Sequence, residues 1–133
     1  MRVFLDTNVL VSAFAARGLT AELFELVLVE HDLITGRSVL KELYKALRDK
    51  VKLPAARCAE IVEFVSSEAT RVIENAPRAE CKADPDDRTV LGEAIAGDAE
   101  AFVTGDVALI VLGSVGRMQV LSPRQFWESL RSG

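Results

Sequence analysis

Arg2-Val3-Phe4-Leu5-Asp6-Thr7-Asn8 begins as a short apolar run and ends on an acid, and Ala101-Phe102-Val103-Thr104-Gly105-Asp106 repeats the pattern far along the chain. Brief apolar runs of this kind suit strands buried on both faces, as in a parallel sheet. If the two runs are neighbouring parallel strands, their carboxyl ends bring Asp6 and Asp106 to one crevice, where open α/β sheets bind ligands. Two carboxylates gathered there repel each other and raise one another's pKa unless a cation neutralises them. The pair points to a metal site built on a parallel sheet.

Strand-like and helix-like stretches alternate between and beyond these two runs, without repeats, low-complexity segments or a linker. After a strand at 2–5, residues 8–15 read as a helix broken by Arg17-Gly18, and Thr20 is placed to cap a second helix to about Glu30. Leu33-Ile34-Thr35 is a short strand closed by Gly36. Ser38 is expected to cap a helix running to about Lys50, with Leu40, Leu43, Leu47 and Val51 as its buried stripe. Pro54 suits the first turn of the next helix, whose apolar side is Ile61, Val62 and Val65. Arg71-Val72-Ile73 reads as a strand.

Asp84-Pro85-Asp86-Asp87 opens a helix carrying Val90, Leu91, Ala94 and Ile95 and closed by Gly97. A strand at 101–104, a helix through Leu112, a strand at 118–121 and a last helix after Ser122-Pro123 complete the chain. The alternation predicts a three-layer α/β/α fold with a mainly parallel sheet of four or five strands. With 133 residues, half of them apolar, the chain suits one domain, 1–133, with one core.

The net charge of -4 is unevenly spread. Residues 37–57 hold seven basic side chains against Glu42 and Asp49, leaving nine basic and eighteen acidic residues elsewhere. That local excess reads either as a solvated helix face or as a contact for phosphates. Cys58 and Cys81 have no CxxC spacing and no histidine partner, so free thiols in a reducing, cytoplasmic setting are expected. The start leaves no room for a charged segment ahead of a hydrophobic signal, and no run reaches the roughly 18 apolar residues of a membrane span.

Four acidic positions have structural readings as well as chemical ones. Asp6 and Asp106 follow strands directly and could each cap the next helix. Asp84 could be an N-cap with Pro85 as first helical residue, and Asp86 and Asp87 would then favour the helix dipole. Glu42 sits on the flank of its helix between Val39 and Ala46, where an ion pair with Lys45 is the simple reading. Together, four carboxylates that this topology can bring to one sheet edge make a hard-oxygen site suited to Mg²⁺ or Mn²⁺, with no histidine or cysteine nearby to suggest zinc.

In order and spacing, Asp6-Thr7-Asn8-Val9-Leu10, Val39-Leu40-Lys41-Glu42-Leu43, Asp84-Pro85-Asp86-Asp87 with Leu91 and Ala94, and Val103-Thr104-Gly105-Asp106 resemble the successive motifs of PIN-domain nucleases. Length and the Asp-Pro-Asp-Asp form look most like the small prokaryotic members grouped with VapC-type toxins of toxin–antitoxin pairs. The resemblance implies a metal-dependent ribonuclease whose acidic quartet is Asp6, Glu42, Asp87 and Asp106, with one or two Mg²⁺ or Mn²⁺ ions as cofactor. Asp87 is chosen over Asp84 because it stands seven residues before Ala94, as the family's third acid stands before its small helix residue. Asn8 and Thr104 match the family's polar supporting positions, and Asp84 joins them. The further acid that often follows the fourth one is replaced here by Ala108.

By the same resemblance the cation would bind a non-bridging phosphate oxygen and lower the pKa of a water, so that hydrolysis leaves a 5′-phosphate and a 3′-hydroxyl. RNA, single-stranded or structured, is the implied substrate, with Arg17, Arg37, Lys41 and Lys45 as candidate phosphate contacts. A small antitoxin protein and a homodimer are the implied partners; Phe14 and Phe24 read either as an interface or as core. His31 lies apart from every motif at a helix end and is given no acid–base role. Three competing readings are a haloacid-dehalogenase-like phosphotransferase, a receiver-type domain and a non-catalytic PIN-like module that only binds a protein. The first needs an aspartate where Asn8 stands, the second lacks its lysine after a later strand, and Ala108 alone favours the third.

Overall fold

The computed structural model describes residues 1–132. The elements in order are β1 (Arg2–Leu5), α1 (Thr7–Ala15), α2 (Leu19–Glu30), β2 (Asp32–Gly36), α3 (Arg37–Asp49), α4 (Ala55–Glu68) and β3 (Arg71–Ile73). Then follow α5 (Pro85–Ala96), β4 (Ala101–Val103), α6 (Val107–Ile110), β5 (Ser114–Val115), β6 (Met118–Leu121) and α7 (Pro123–Ser132).

The strands form one sheet in the order β3-β2-β1-β4-β6-β5. All pairs are parallel except β5 with β6. The sheet thus has six strands, one more than expected. The extra one is the two-residue β5, which returns antiparallel onto β6 through a turn with Gly116 at φ 59°; so short a strand carries no periodicity that a sequence reading can detect. Val3, Phe4 and Leu5 of β1 and Ala101, Phe102 and Val103 of β4 are all buried. Successive strand residues point to opposite faces, so the sheet is covered on both, giving the three-layer α/β/α arrangement. Phe4 and Phe102 lie opposite each other in the β1–β4 register and stack with ring centroids 5.4 Å apart.

Several local expectations are corrected. Helix α3 begins at Arg37 with Gly36 as N-cap and no side-chain cap, so Ser38 is inside its first turn. The acceptor comes instead from Glu93 of α5, whose Oε2 takes the Ser38 N–H at 3.0 Å. Helix α2 begins at Leu19 after Gly18, and the Thr20 hydroxyl pairs with Ser12 on α1 at 2.8 Å rather than capping. The buried stripe of α3 is Val39, Leu43 and Leu47, with Leu40 half-buried beside it. Pro54 stands immediately before α4, and the helix after Asp106 is a single turn that ends at Ile110. Phe24 is core, half-buried Phe14 packs on it at 5.2 Å, and it is Phe64 that reaches the surface. Cys58 is buried and Cys81 partly so, both as free thiols.

Gly92 explains how α5 seats against the loop before it. A Cβ there would collide with the Pro77 carbonyl oxygen, so only glycine lets the helix backbone approach that closely.

Candidate active site

Strand order decides where a site can form. From β1 the sheet steps one way through β2 to β3, and from β4 it steps the other way to β6, so the order reverses between β1 and β4. The carboxyl ends of those two strands flank the crevice where doubly wound sheets hold ligands. Asp6 and Asp106 stand there.

Asp6 leaves β1 with its N–H donating to the Val103 carbonyl at 2.9 Å. Asp6 as a whole is only 9% exposed. One oxygen accepts from the Thr7 N–H at 2.9 Å and caps α1, while the other accepts from the Thr104 hydroxyl at 2.8 Å and the Asn8 amide at 3.2 Å. Capping and placement in the crevice are therefore the same act, not competing explanations. Burial pushes the Asp6 carboxyl above its ordinary range and the Asp106 charge adds to the rise; the bonds from Thr104, Thr7 and Asn8 pull the other way.

Thr104 and Asn8 lock the two strand ends together. Thr104 is fully buried; its hydroxyl gives its one proton to Asp6 and accepts from the Asn8 amide at 3.3 Å and the Asp106 N–H at 3.0 Å. Asn8 Oδ1 accepts from the Gly105 N–H at 2.7 Å, which fixes which end of the amide faces Asp6. Asp106 in turn accepts from the Ala108 N–H at 2.9 Å, so residue 108 contributes its backbone.

Asp84 accepts from the Asp87 N–H at 2.9 Å and is the N-cap of α5, with Pro85 as first helical residue. The Asp84 carboxyl also stands beside the Asp87 side chain, with a side-chain hydrogen bond between the two. Burial first, then the neighbouring Asp84 charge, push the Asp87 carboxyl up to about 6, and Asp106 and Asp6 also contribute. Asp87, Asp106 and Asp6 thus face one space, and the Asp106 and Asp6 charges add the smallest parts of the rise in Asp87.

That space is a cleft of about 800 Å³ lined by Asp6, Asn8, Glu42, Asp86, Asp87 and Asp106 among others. Glu42 is exposed on the α3 wall, and no ion pair joins it to Lys45 among the described residues. Of the basic residues singled out from sequence, Lys41 lines the cleft; Arg17, Arg37 and Lys45 are exposed and stand outside its lining. Lys50 lines it too and was missed, although Glu42, Ala46 and Lys50 recur at the four-residue spacing of one helix face. Asp86 and Ser38, which the sequence presents only as helix-start residues, also line it, and the buried Glu93 that bonds Ser38 carries no sequence signal. Two smaller clefts of about 410 and 430 Å³, sharing Glu100 and Arg117, contain none of these acids.

Among the described residues, no three acidic, histidine or cysteine side chains stand close enough together to hold a metal ion as they are. The donor chemistry does fit a hard cation: the oxygen donors lining the cleft are carboxylates, an amide and hydroxyls, with no histidine or cysteine among them, and burial together with neighbouring carboxylates raises Asp6 and Asp87. No described helix is long and apolar enough to cross a membrane.

A family model described as PIN domain matches residues 2–108. No curated protein matches the chain significantly. Among solved structures, similar folds include a chain from VapBC2 of Rickettsia felis bound to a DNA fragment from its promoter, with TM-score 0.66 and 15% identity over 92% of this chain and 98% of that one. Another is from VapBC-1 of nontypeable Haemophilus influenzae, with TM-score 0.64 and 15% identity over 93% of this chain and 99% of that one.

Proposed function

The chain belongs to the PIN-domain family, and from that premise we propose that it is a metal-dependent ribonuclease acting as the toxin of a toxin–antitoxin pair. Asp6, Glu42, Asp87 and Asp106 would hold one or two Mg²⁺ or Mn²⁺ ions. The observation that carries the reading is the placement of Asp6, Asp87 and Asp106 around one cleft at the strand-order reversal, where burial first, then Asp84, and last the Asp106 and Asp6 charges raise Asp87 to about 6; a divalent cation would relieve the part that comes from charge. A bound cation there would supply Lewis-acid polarisation of a phosphodiester and a water of lowered pKa for in-line attack.

The protein's own groups do the positioning. Thr104 and Asn8 hold the Asp6 carboxylate in one orientation, and the Ala108 N–H does the same for Asp106. Asp84 supports Asp87 through the helix start. Lys41 and Lys50, on the α3 wall of the cleft, would take flanking phosphates of an RNA strand whose scissile phosphate lies at the acids. A small antitoxin and a homodimer complete the proposal; likeness of fold to chains from two VapBC complexes supports the antitoxin.

The test uses purified protein, single-stranded RNA and Mn²⁺, with Asp6→Asn alongside. Cutting by the wild type and none by the variant supports the reading, and equal cutting by both overturns it. Phosphatase turnover of small phosphoesters without RNA cleavage would instead mark a phosphotransferase. Expression should arrest growth, and a small gene immediately upstream should relieve the arrest.

A further inference from the structure

Glu93 is buried, 4% exposed, and no described cation pairs with it. Buried carboxylates ordinarily need a counter-charge or a set of donors. Both of its oxygens are spent on one residue: Oε2 accepts from the Ser38 N–H at 3.0 Å and Oε1 from the Ser38 hydroxyl at 2.5 Å. Ser38 lies in the first turn of α3, where backbone N–H groups are unsatisfied and the helix dipole favours a negative charge. Helix α3 has no side-chain cap of its own, so a residue from α5 supplies one from outside.

The approach has been cleared of obstruction. A Cβ on Gly36, the N-cap of α3, would collide with Oε1, Cδ and Cβ of Glu93. One turn beyond Ser38 on the same helix face stands Glu42, and both line the cleft. On the other side of the bond, Glu93 shares α5 with Asp87, about 9 Å away along the helix at 1.5 Å per residue. A single carboxylate thus joins the two helices that bear Glu42 and Asp87. Neither helix is tied to the other through those two acids, whose side chains must keep their separation across an open cleft.

We infer that Glu93 is a positioning residue that clamps α3 to α5 and so sets Glu42 opposite Asp87 for cation binding. The inference rests on the four-carboxylate reading above. It differs from a simple packing role in a measurable way, because packing asks only for a side chain of the right size, whereas a clamp asks for hydrogen-bond acceptors.

The experiment measures Mn²⁺ affinity of purified protein by the free-Mn²⁺ electron paramagnetic resonance signal, without RNA. Glu93→Gln keeps an acceptor for the Ser38 N–H and is expected to stay within about threefold of the wild-type dissociation constant. Glu93→Leu keeps the size but no acceptor and is expected to weaken Mn²⁺ about tenfold or more, the scale of losing support behind a ligand. In a Glu42→Gln background the same Leu change is expected to do nothing further, since it acts through Glu42. Ser38→Ala removes one of the two bonds without opening the core, and a smaller loss in the same direction is expected. Wild-type affinity in both Glu93→Leu and Ser38→Ala, or an equal loss with and without Glu42, overturns the clamp alone. If Glu93→Leu does not fold, unchanged affinity in Ser38→Ala overturns it. Unchanged affinity in Asp6→Asn and Glu42→Gln overturns the four-carboxylate reading and the clamp with it.

Discussion

Replacing Asp87 with asparagine should make the cation-free protein more stable and the cation-loaded protein less so. Asp87 is held at about 6 rather than its ordinary 3.8 by burial and by Asp84, Asp106 and Asp6. At about 1.4 kcal/mol per pH unit, that rise would cost about 3 kcal/mol in a fully shielded site. The side chain is partly exposed, so solvent screening reduces the cost to about 1 kcal/mol. At pH 8 in EDTA, Asp87→Asn should therefore melt about 3 °C higher than wild type. The sign follows from proton binding. Between pH 3.8 and 6 the folded state holds the Asp87 proton more tightly than the unfolded chain, so wild-type stability from this group falls as pH rises. The advantage of asparagine should shrink to about a third at pH 4.5 and vanish once both states are protonated. Saturating Mn²⁺ should reverse the order, since a ligand at 100 times its dissociation constant adds about 2.7 kcal/mol to whichever form binds it. Scanning calorimetry at the two pH values, with EDTA and with Mn²⁺, reads all of this. A variant no more stable than wild type in EDTA at pH 8, or equally advantaged at both pH values, would refute the reasoning.

Thr35 is fully buried and its hydroxyl finds no partner among the described residues, so Thr35→Val should raise stability by about 1 kcal/mol; a lower melting temperature would count against it. Gly92→Ala forces a Cβ into the Pro77 carbonyl and should cost about 1–3 kcal/mol in urea unfolding. Lys50→Ala should raise KM for RNA, leave kcat unchanged and lower the salt dependence of binding by about one ion; a change in kcat alone would remove Lys50 from substrate binding.

The strands at 2–5 and 101–103 and the helix opened by Asp84-Pro85 were legible because each is announced by local chemistry: an apolar run ending in an acid, or an N-cap followed by proline. The gathering of Asp6 and Asp106 followed from parallel pairing alone. What could not be read is what depends on contacts between distant residues. Ser38 looks like a cap in isolation, but the acceptor that completes the α3 start is Glu93, far along the chain on another helix. Glu93 carries no local signal, being one acid among apolar neighbours on α5 whose burial is set by Gly36 opposite. Likewise Lys45 and Lys50 share a basic stretch, and only the direction of α3 across the cleft separates the one that lines it from the one that does not. The aromatic residues divide in the same way: Phe24 faces the core, and Phe64, on the helix whose apolar side reads as Ile61, Val62 and Val65, reaches the surface.

The central claim is that Asp6, Glu42, Asp87 and Asp106 would together hold a cation and that the protein hydrolyses RNA at that site. Its most direct test is product end-group analysis after incubating RNA with the wild-type protein and Mn²⁺, with EDTA and each single Asp→Asn or Glu→Gln variant run in parallel. The account predicts 5′-phosphate and 3′-hydroxyl ends that disappear with EDTA and with every one of the four substitutions. A 2′,3′-cyclic phosphate, or cutting that survives EDTA, would contradict it.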